Sequence, residues 1–221
     1  MNLTVLNGSP RGRGSGTRIL LEAFCRGFSE NSENICHLEY VKECVKDKEK
    51  CTRLLLESEA CLLAFPLYTD IVPGIVKQFI EHCAQLKGKL KNCKMVFIIQ
   101  SGFPEAAHSR PAAEYMRRVC GIWRAEYAGA MVRGGVEGLG KRPIKMDEKM
   151  LDVMTRQGKV FGAEGRLDES LQDEFAGRER LSLPRRLLLP VLGKIFINPM
   201  FWDRLLKENG AYDERFARPL E

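Results

Sequence analysis

Two short, continuously apolar runs constrain the fold of this chain most: residues 60–65 (ACLLAF) and 95–99 (MVFII). Runs of this length with no polar alternation suit parallel strands whose sheet is covered by helices on both faces. The text around them alternates between strand-like and helix-like segments. Residues 3–6 (LTVL) form another buried-strand run, stopped by Asn7-Gly8, and residues 35–41 (ICHLEYV) and 126–132 supply the other strands. Between them, Ile19, Leu20, Ala23, Phe24 and Phe28 follow helical spacing within residues 17–28. Residues 49–58 read as a charged helix carrying Leu54, Leu55 and Leu56. Pro73 stands at a helix start, with Ile75, Val76, Phe79, Ile80 and Cys83 on one face. Residues 105–120 read as a helix in which Pro111 is a break risk. This repeated β-α order predicts an α/β fold, a doubly wound parallel sheet with right-handed crossovers. Ligands of such sheets bind at the carboxyl ends of the strands, where the strand order reverses.

Beyond residue 140 no strand alternation returns. Residues 147–161 and 168–176 read as amphipathic helices, followed by LSLPRRLLLPVLGKIFINPMFW and a polar end. The expected division is therefore a sheet domain over 1–140 and a helical extension over 141–221. The apolar stretch 187–202 is broken by Pro190 and Pro199, too interrupted for a membrane span. Arg185 and Arg186 beside it make interfacial membrane contact conceivable, but packing on the core or across a homodimer interface is the favoured expectation.

At 221 residues the chain is long enough to bury a core without disulfide or metal staples. Its 44% apolar and 29% charged fractions exclude a disordered, collagen-like or integral membrane protein. The net charge of +6 suits anionic ligands, but without a basic cluster it does not indicate nucleic acid. The cysteines at 25, 36, 44, 51, 61, 83, 93 and 120 contain no CxxC pair of the kind that wraps zinc or an iron–sulfur cluster. They read as free thiols in a reducing compartment. With no signal-peptide pattern at the N-terminus, the expected location is cytoplasmic and no metal is expected.

The loop NGSPRGRGSGT, residues 7–17, joins the first strand to the first helix. Gly8, Gly12, Gly14 and Gly16 let backbone N–H groups approach an anion at the positive end of that helix. Ser9, Ser15 and Thr17 add hydroxyls, and Arg11 and Arg13 add charge. The loop lacks the Gly-Lys-Ser/Thr of a P-loop, and its glycines do not fall into GxGxxG.

This loop resembles the phosphate-binding loop of the flavodoxin-like NAD(P)H-dependent FMN reductases, through Gly8-Ser9-Pro10-Arg11 and Ser15-Gly16-Thr17. Two further loops extend the resemblance. FPLYTDIVPGIVKQFIE, residues 65–81, is similar to the family at Pro66, Tyr68, Pro73, Lys77, Phe79, Ile80 and Glu81, and QSGFPEAAHS, residues 100–109, at Ser101, Gly102, Phe103, Pro104 and Glu105. The resemblance covers residues 2–140 and implies a flavodoxin-like five-stranded sheet of order 2-1-3-4-5, with FMN as cofactor and NAD(P)H as co-substrate. It implies that Ser9, Pro10, Arg11, Ser15, Gly16 and Thr17 hold the phosphate. Pro66, Leu67, Tyr68, Thr69 and Asp70 would lie along the isoalloxazine, and Ser101, Gly102, Phe103 and Glu105 at the ribityl chain and ring edge. Glu105 is alternatively a helix cap. The turn containing Gly134 and Gly135 would approach a ligand or a partner subunit, and Arg11, Arg13 and Arg133 are candidates for the nicotinamide phosphates.

The flavin itself accepts hydride at N5, so no catalytic side chain is assigned, and His108 reads as solvated. Residues 39–51 (EYVKECVKDKEKC) lack the CxxC segment of the iron–sulfur relatives, so neither a cluster nor a redox thiol pair is expected. The implied activity is reduction of a quinone, a nitro or azo compound, or free flavin. A flavodoxin-like electron carrier is the first alternative; such carriers are usually shorter and acidic, unlike this chain. A non-redox partner-binding protein on the same fold is the second. The expected partners are a small-molecule acceptor and a second copy of the chain, as homodimer or higher oligomer, with Phe201 and Trp202 bordering the neighbour's flavin. Nucleic-acid binding and membrane contact are not expected.

Overall fold

The computed structural model describes residues 1–141, 143–193, 198–199 and 202–218. Strands β1 (Asn2–Asn7), β2 (Ile35–Tyr40), β3 (Ala60–Pro66), β4 (Lys94–Gln100) and β5 (Glu126–Arg133) form one sheet in the order β2-β1-β3-β4-β5. Every neighbouring pair runs parallel. The expected sheet and strand order are both found. β3 and β4 are buried almost end to end, which is why their sequences are continuously apolar. β2 lies at the edge and keeps only a loose alternation, with Ile35 exposed. The chain leaves β1 toward β2 on one side and returns to β3 on the other, opening a crevice above the carboxyl ends of β1 and β3.

One face of the sheet is covered by α2 (Val41–Cys44), α3 (Lys48–Leu56), α4 (Gly74–His82) and α5 (Arg110–Trp123). Leu63, Phe65, Phe97 and Ile99 pack there against Leu55, Val76, Phe79, Met116 and Trp123. Pro111 does not break α5. The helix starts at Arg110, so Pro111 sits in its first turn, where the missing N–H has no acceptor to lose.

The other face is covered by α1 (Gly16–Phe28), α6 (Glu148–Glu164) and α7 (Glu169–Ala176). Leu62, Val96, Ile98 and Met131 meet Leu20, Phe24, Met150, Met154, Phe161 and Phe175 there. α1 and α6 approach closely through glycines. A Cβ at Gly27 would stand 1.8 Å from Thr155 O, and one at Gly158 would stand 1.9 Å from Phe24 O. The compact unit accordingly runs from Met1 to Arg180, past the division expected at residue 140. The reason is area: without Met150, Met154, Phe161 and Phe175, half of this sheet face would be open to water.

The second unit, Leu181–Glu221, carries two helices and a turn-rich end among its described residues. It contains α8 (Leu183–Leu192), with Pro190 inside it, and α9 (Asp203–Glu208). Near its end the Arg215 guanidinium stacks 3.8 Å from the centre of the Tyr212 ring. Phe201, expected beside a neighbour's flavin, lies outside the described residues. Among the described residues no helix is long and apolar enough to cross a membrane.

Candidate functional site

The loop after β1 is organised by Asn7, a fully buried residue that the sequence reading used only as a strand stop. Its Nδ2 donates to Gly12 O at 3.3 Å and to Ser15 Oγ at 3.1 Å, while its Oδ1 accepts from Ser9 N at 2.9 Å. Gly12 takes a positive φ of 55° at the turn. Gly8 is required by close approach, since a Cβ there would lie 2.7 Å from Val76 Cγ2 and 3.0 Å from Ala64 O. Ser15 caps α1: its Oγ accepts from Arg18 N at 3.2 Å and donates to Gly12 O at 2.7 Å. With the Asn7 bond, the Ser15 hydroxyl is fully used within the loop and serves its shape. Gly16 and Thr17 open the helix, so their N–H groups have no acceptor within it and form its positive end. The Thr17 hydroxyl is buried and accepts from Gln100 Nε2 at 3.1 Å, which ties this loop to the end of β4.

The second loop continues the ladder for one more bond, Leu67 N to Gln100 O at 2.7 Å. Tyr68 and Ile71 then exchange backbone hydrogen bonds of 3.1 and 3.2 Å around Thr69 and Asp70. Both central residues have positive φ, 50° and 61°, the arrangement of a tight two-residue hairpin turn that ordinarily selects Gly or Asn. A β-branched threonine in this region is a strained choice. Leu67 is buried beneath the turn, and Tyr68 stands 40% exposed at its rim.

The third loop is held from beside by the turn after β5. Ser101 N donates to Arg133 O at 2.9 Å, Val136 N to Ser101 O at 2.9 Å, and Gly135 N to Phe103 O at 2.6 Å. A Cβ at Gly134 would lie 2.4 Å from Phe103 O, so the glycines of this turn permit contact between two loops of the chain itself. Arg11 reaches the same turn, with Nη2 3.6 Å from Glu137 Oε1. Arg133, a candidate for nicotinamide phosphates, turns instead to α7: it donates to Phe175 O and lies 5.6 Å over that ring.

His108 joins the second and third loops. Its ring stacks on Phe103 with centroids 4.5 Å apart, Nδ1 lies 3.3 Å from Asp70 Oδ1, and Nε2 lies 3.4 Å from Glu105 Oε2. Glu105 makes no capping bond to the helical turn that follows it. The carboxylates on either side of His108 come from loops far apart in sequence, a juxtaposition that no spacing reveals.

Among the described residues no group of three or more His, Cys, Asp or Glu is placed to hold a metal. Cys44, Cys51, Cys61, Cys83, Cys93 and Cys120 all lie in the core beneath α2–α5. Burial pushes the Cys44 thiol up to about 11 and those of Cys51, Cys93 and Cys120 up to about 12. Cys25 on α1 and Cys36 on β2 differ. They hydrogen-bond to one another, which raises Cys25 and lowers Cys36, with Ser29 also favouring the Cys36 thiolate.

The residues fit a flavin mononucleotide. The loop after β1 presents an anion nest at a helix N-terminus, and two further loops form a rim of backbone and ring above β3 and β4. Ser101 Oγ is buried and has no hydrogen-bond partner among the described residues, an orphan that a ligand hydroxyl or carbonyl would satisfy.

Residues 1–156 match the family model Flavodoxin_2, described as a flavodoxin-like fold. No curated protein matches the chain in sequence. Among solved structures, the FMN-dependent NADH-azoreductase from Bacillus anthracis in complex with FMN is 10% identical, with TM-score 0.57 over 74% of this chain and 98% of that one. An NADH:FMN oxidoreductase (EMOB) in its apo form is 17% identical, with TM-score 0.52 over 81% and 96%. The Trp repressor binding protein from Bacillus subtilis is 19% identical, with TM-score 0.54 over 70% and 96%. At these identities the likeness is one of fold. The family match extends through most of α6, the helix that closes the sheet's second face, and the chain therefore belongs to the Flavodoxin_2 family of flavodoxin-like proteins.

Proposed function

We propose that this protein is an FMN-dependent NAD(P)H oxidoreductase that reduces a small organic acceptor: a quinone, a nitro or azo compound, or free flavin. One observation carries the reading. The loops after β1, β3 and β4 converge on the strand-order switch, with an anion nest at one end and an aromatic, hydrogen-bonding rim at the other. Two of the structures sharing this fold are named as an FMN-dependent NADH-azoreductase and an NADH:FMN oxidoreductase, which supports the same class.

Bound FMN supplies hydride acceptance and delivery at its N5. The chain's own residues hold and shape the site. The Gly16 and Thr17 N–H groups, with Ser9 and Arg11, bind the phosphate at the positive end of α1. Pro66, Leu67, Tyr68, Thr69 and Asp70 offer backbone and apolar surface to one edge of the ring, and the strained turn fixes their direction. Ser101, Gly102, Phe103 and Glu105 hold the ribityl side, with Ser101 Oγ the hydroxyl left available in the free protein. His108 positions Asp70 and Glu105 against each other and keeps the two rims together.

The test is reconstitution with FMN followed by anaerobic mixing with NADH or NADPH. The reading expects a yellow 1:1 complex whose visible absorbance bleaches on mixing and returns when a quinone is added. A complex that forms but stays oxidised with both nicotinamides would favour the electron-carrier alternative. A chain that takes up no FMN would exclude both.

A further inference from the structure

We infer that the chain has a second phosphate site, sharing the first loop with the nest at the start of α1 but opening on its β2 side, in which Lys42 and Arg13 receive a phosphate ester of a nucleotide beside the ring of Tyr40. A pocket of 170 Å³ opens there, lined by residues 11–14 of the first loop and by Tyr40, Lys42 and Glu43. It lies on the β2 side of β1, because Tyr40 ends β2 and Lys42 follows it in α2. The crevice above the carboxyl ends of β1 and β3 opens on the other side of β1. The volume far exceeds the roughly 30 Å³ share of one water and falls below the roughly 300 Å³ at which pockets for whole small ligands begin. It suits a phosphate with its adjoining sugar.

The charges point the same way. Arg11, Arg13 and Lys42 line the pocket against one carboxylate, Glu43. That carboxylate is engaged outside it: Lys46 Nζ lies 2.9 Å from Glu43 Oε2. The Lys46 hydrogen bond holds the Glu43 carboxyl below its ordinary range, and Lys42 and Arg13 add to the pull. Arg11 is shared with Glu137, whereas among the described residues no carboxylate stands within 4.0 Å of Lys42 Nζ. Lys42 is exposed and lies against the loop. Its stem runs across the buried Gly12, where an added Cβ would meet Lys42 Cδ at 3.1 Å and Nζ at 3.4 Å. The Arg13 guanidinium stands 5.4 Å from the centre of the Tyr40 ring, a pairing that leaves its N–H edge available to an anion. Cations around a concave space, with an aromatic wall, suit an esterified phosphate.

The inference rests on the proposed flavin–nicotinamide reading only for which nucleotide brings the phosphate. Two sources share this chemistry: the 2′-phosphate that distinguishes NADPH from NADH, and the pyrophosphate that distinguishes FAD from FMN. The full-length protein is compared with Lys42→Gln, Arg13→Gln and the charge-preserving Lys42→Arg; both positions are exposed, so folding is retained. Calorimetry uses adenosine 2′,5′-bisphosphate as probe, with 5′-AMP as the control lacking the second phosphate. The wild type binds the bisphosphate more tightly than 5′-AMP; each Gln variant loses about tenfold of that preference, and Lys42→Arg keeps it. If the donor is the source, kcat/KM for NADPH falls about tenfold in Lys42→Gln while that for NADH and the FMN affinity hold. If the flavin is the source, FAD affinity falls and FMN affinity holds, which supports the site with the other ligand. A wild type with no preference for the bisphosphate, or variants that change none of these quantities, overturns the inference. A chain that binds no FMN but still loses bisphosphate binding in the variants defeats the flavin reading and leaves the phosphate site standing.

Discussion

Thr69 and Asp70 hold the turn beside the crevice at positive φ, a region that Gly, Asn and Asp tolerate but that is costly for a β-branched threonine. Strain kept at a ligand-facing turn marks a conformation set by its surroundings, here the Tyr68–Ile71 backbone bonds below and the His108 bracket above. Thr69→Gly relieves that strain and should raise the unfolding free energy by about 1 kcal/mol, read from chemical denaturation; a loss of stability would contradict the assignment. Thiol reactivity gives a second check at this scale. Because its folded-state value is lowered, Cys36 is ionised from a lower pH than an ordinary cysteine, whereas the core thiols stay protonated through neutrality. Iodoacetamide at pH 7 should therefore label Cys36 first, and Cys25→Ala, which removes the donor to its sulfur, should slow that labelling. Mass spectrometry of the labelled peptides reads both outcomes, and equal labelling of Cys93 or Cys120 in the folded protein would refute the account. The Cys25–Cys36 contact lies between a helix and an edge strand, so local spacing carries no trace of it.

Among the elements, the strands were the most legible, because burial on both faces writes itself as ACLLAF and MVFII. Helix α1 was legible for a similar reason: its apolar stripe and its Ser15 cap are local. What stayed hidden depends on tertiary contact. Asn7 looked like a strand stop, yet its side chain bonds to three parts of the loop that follows. Pro111 looked like a break because a proline shows no helix position until the helix start is known. α6 was recognised as a helix, but nothing in its own period showed that it closes the second face of the sheet. Its glycines now explain how. A side chain at Gly158 must displace the α1 backbone, so Gly158→Val should cost about 3 kcal/mol or prevent folding. Urea denaturation measures it, and near-wild-type stability would contradict the close helix contact. The same packing predicts that a chain cut after residue 140 loses cooperative unfolding, whereas one cut after Arg180 keeps it.

For the molecule as a whole, the site belongs to the topology more than to any single side chain. The strand order reverses between β1 and β3, and the loops after β1, β3 and β4 are stitched there by Gln100, Leu67 and His108 into one rim. The three loops were legible in the sequence as motifs; their convergence depends on the sheet. Arg11, Arg13 and Lys42 line one pocket beside the first loop. The central claim is that this rim holds FMN and passes it electrons from a nicotinamide. Its most direct measurement is an anaerobic stopped-flow record of the FMN-reconstituted, full-length protein at 450 nm. The account predicts a 1:1 complex whose absorbance is lost on mixing with NADPH or NADH and restored by a quinone. A chain that retains no FMN, or a bound flavin that neither nicotinamide reduces, would contradict it.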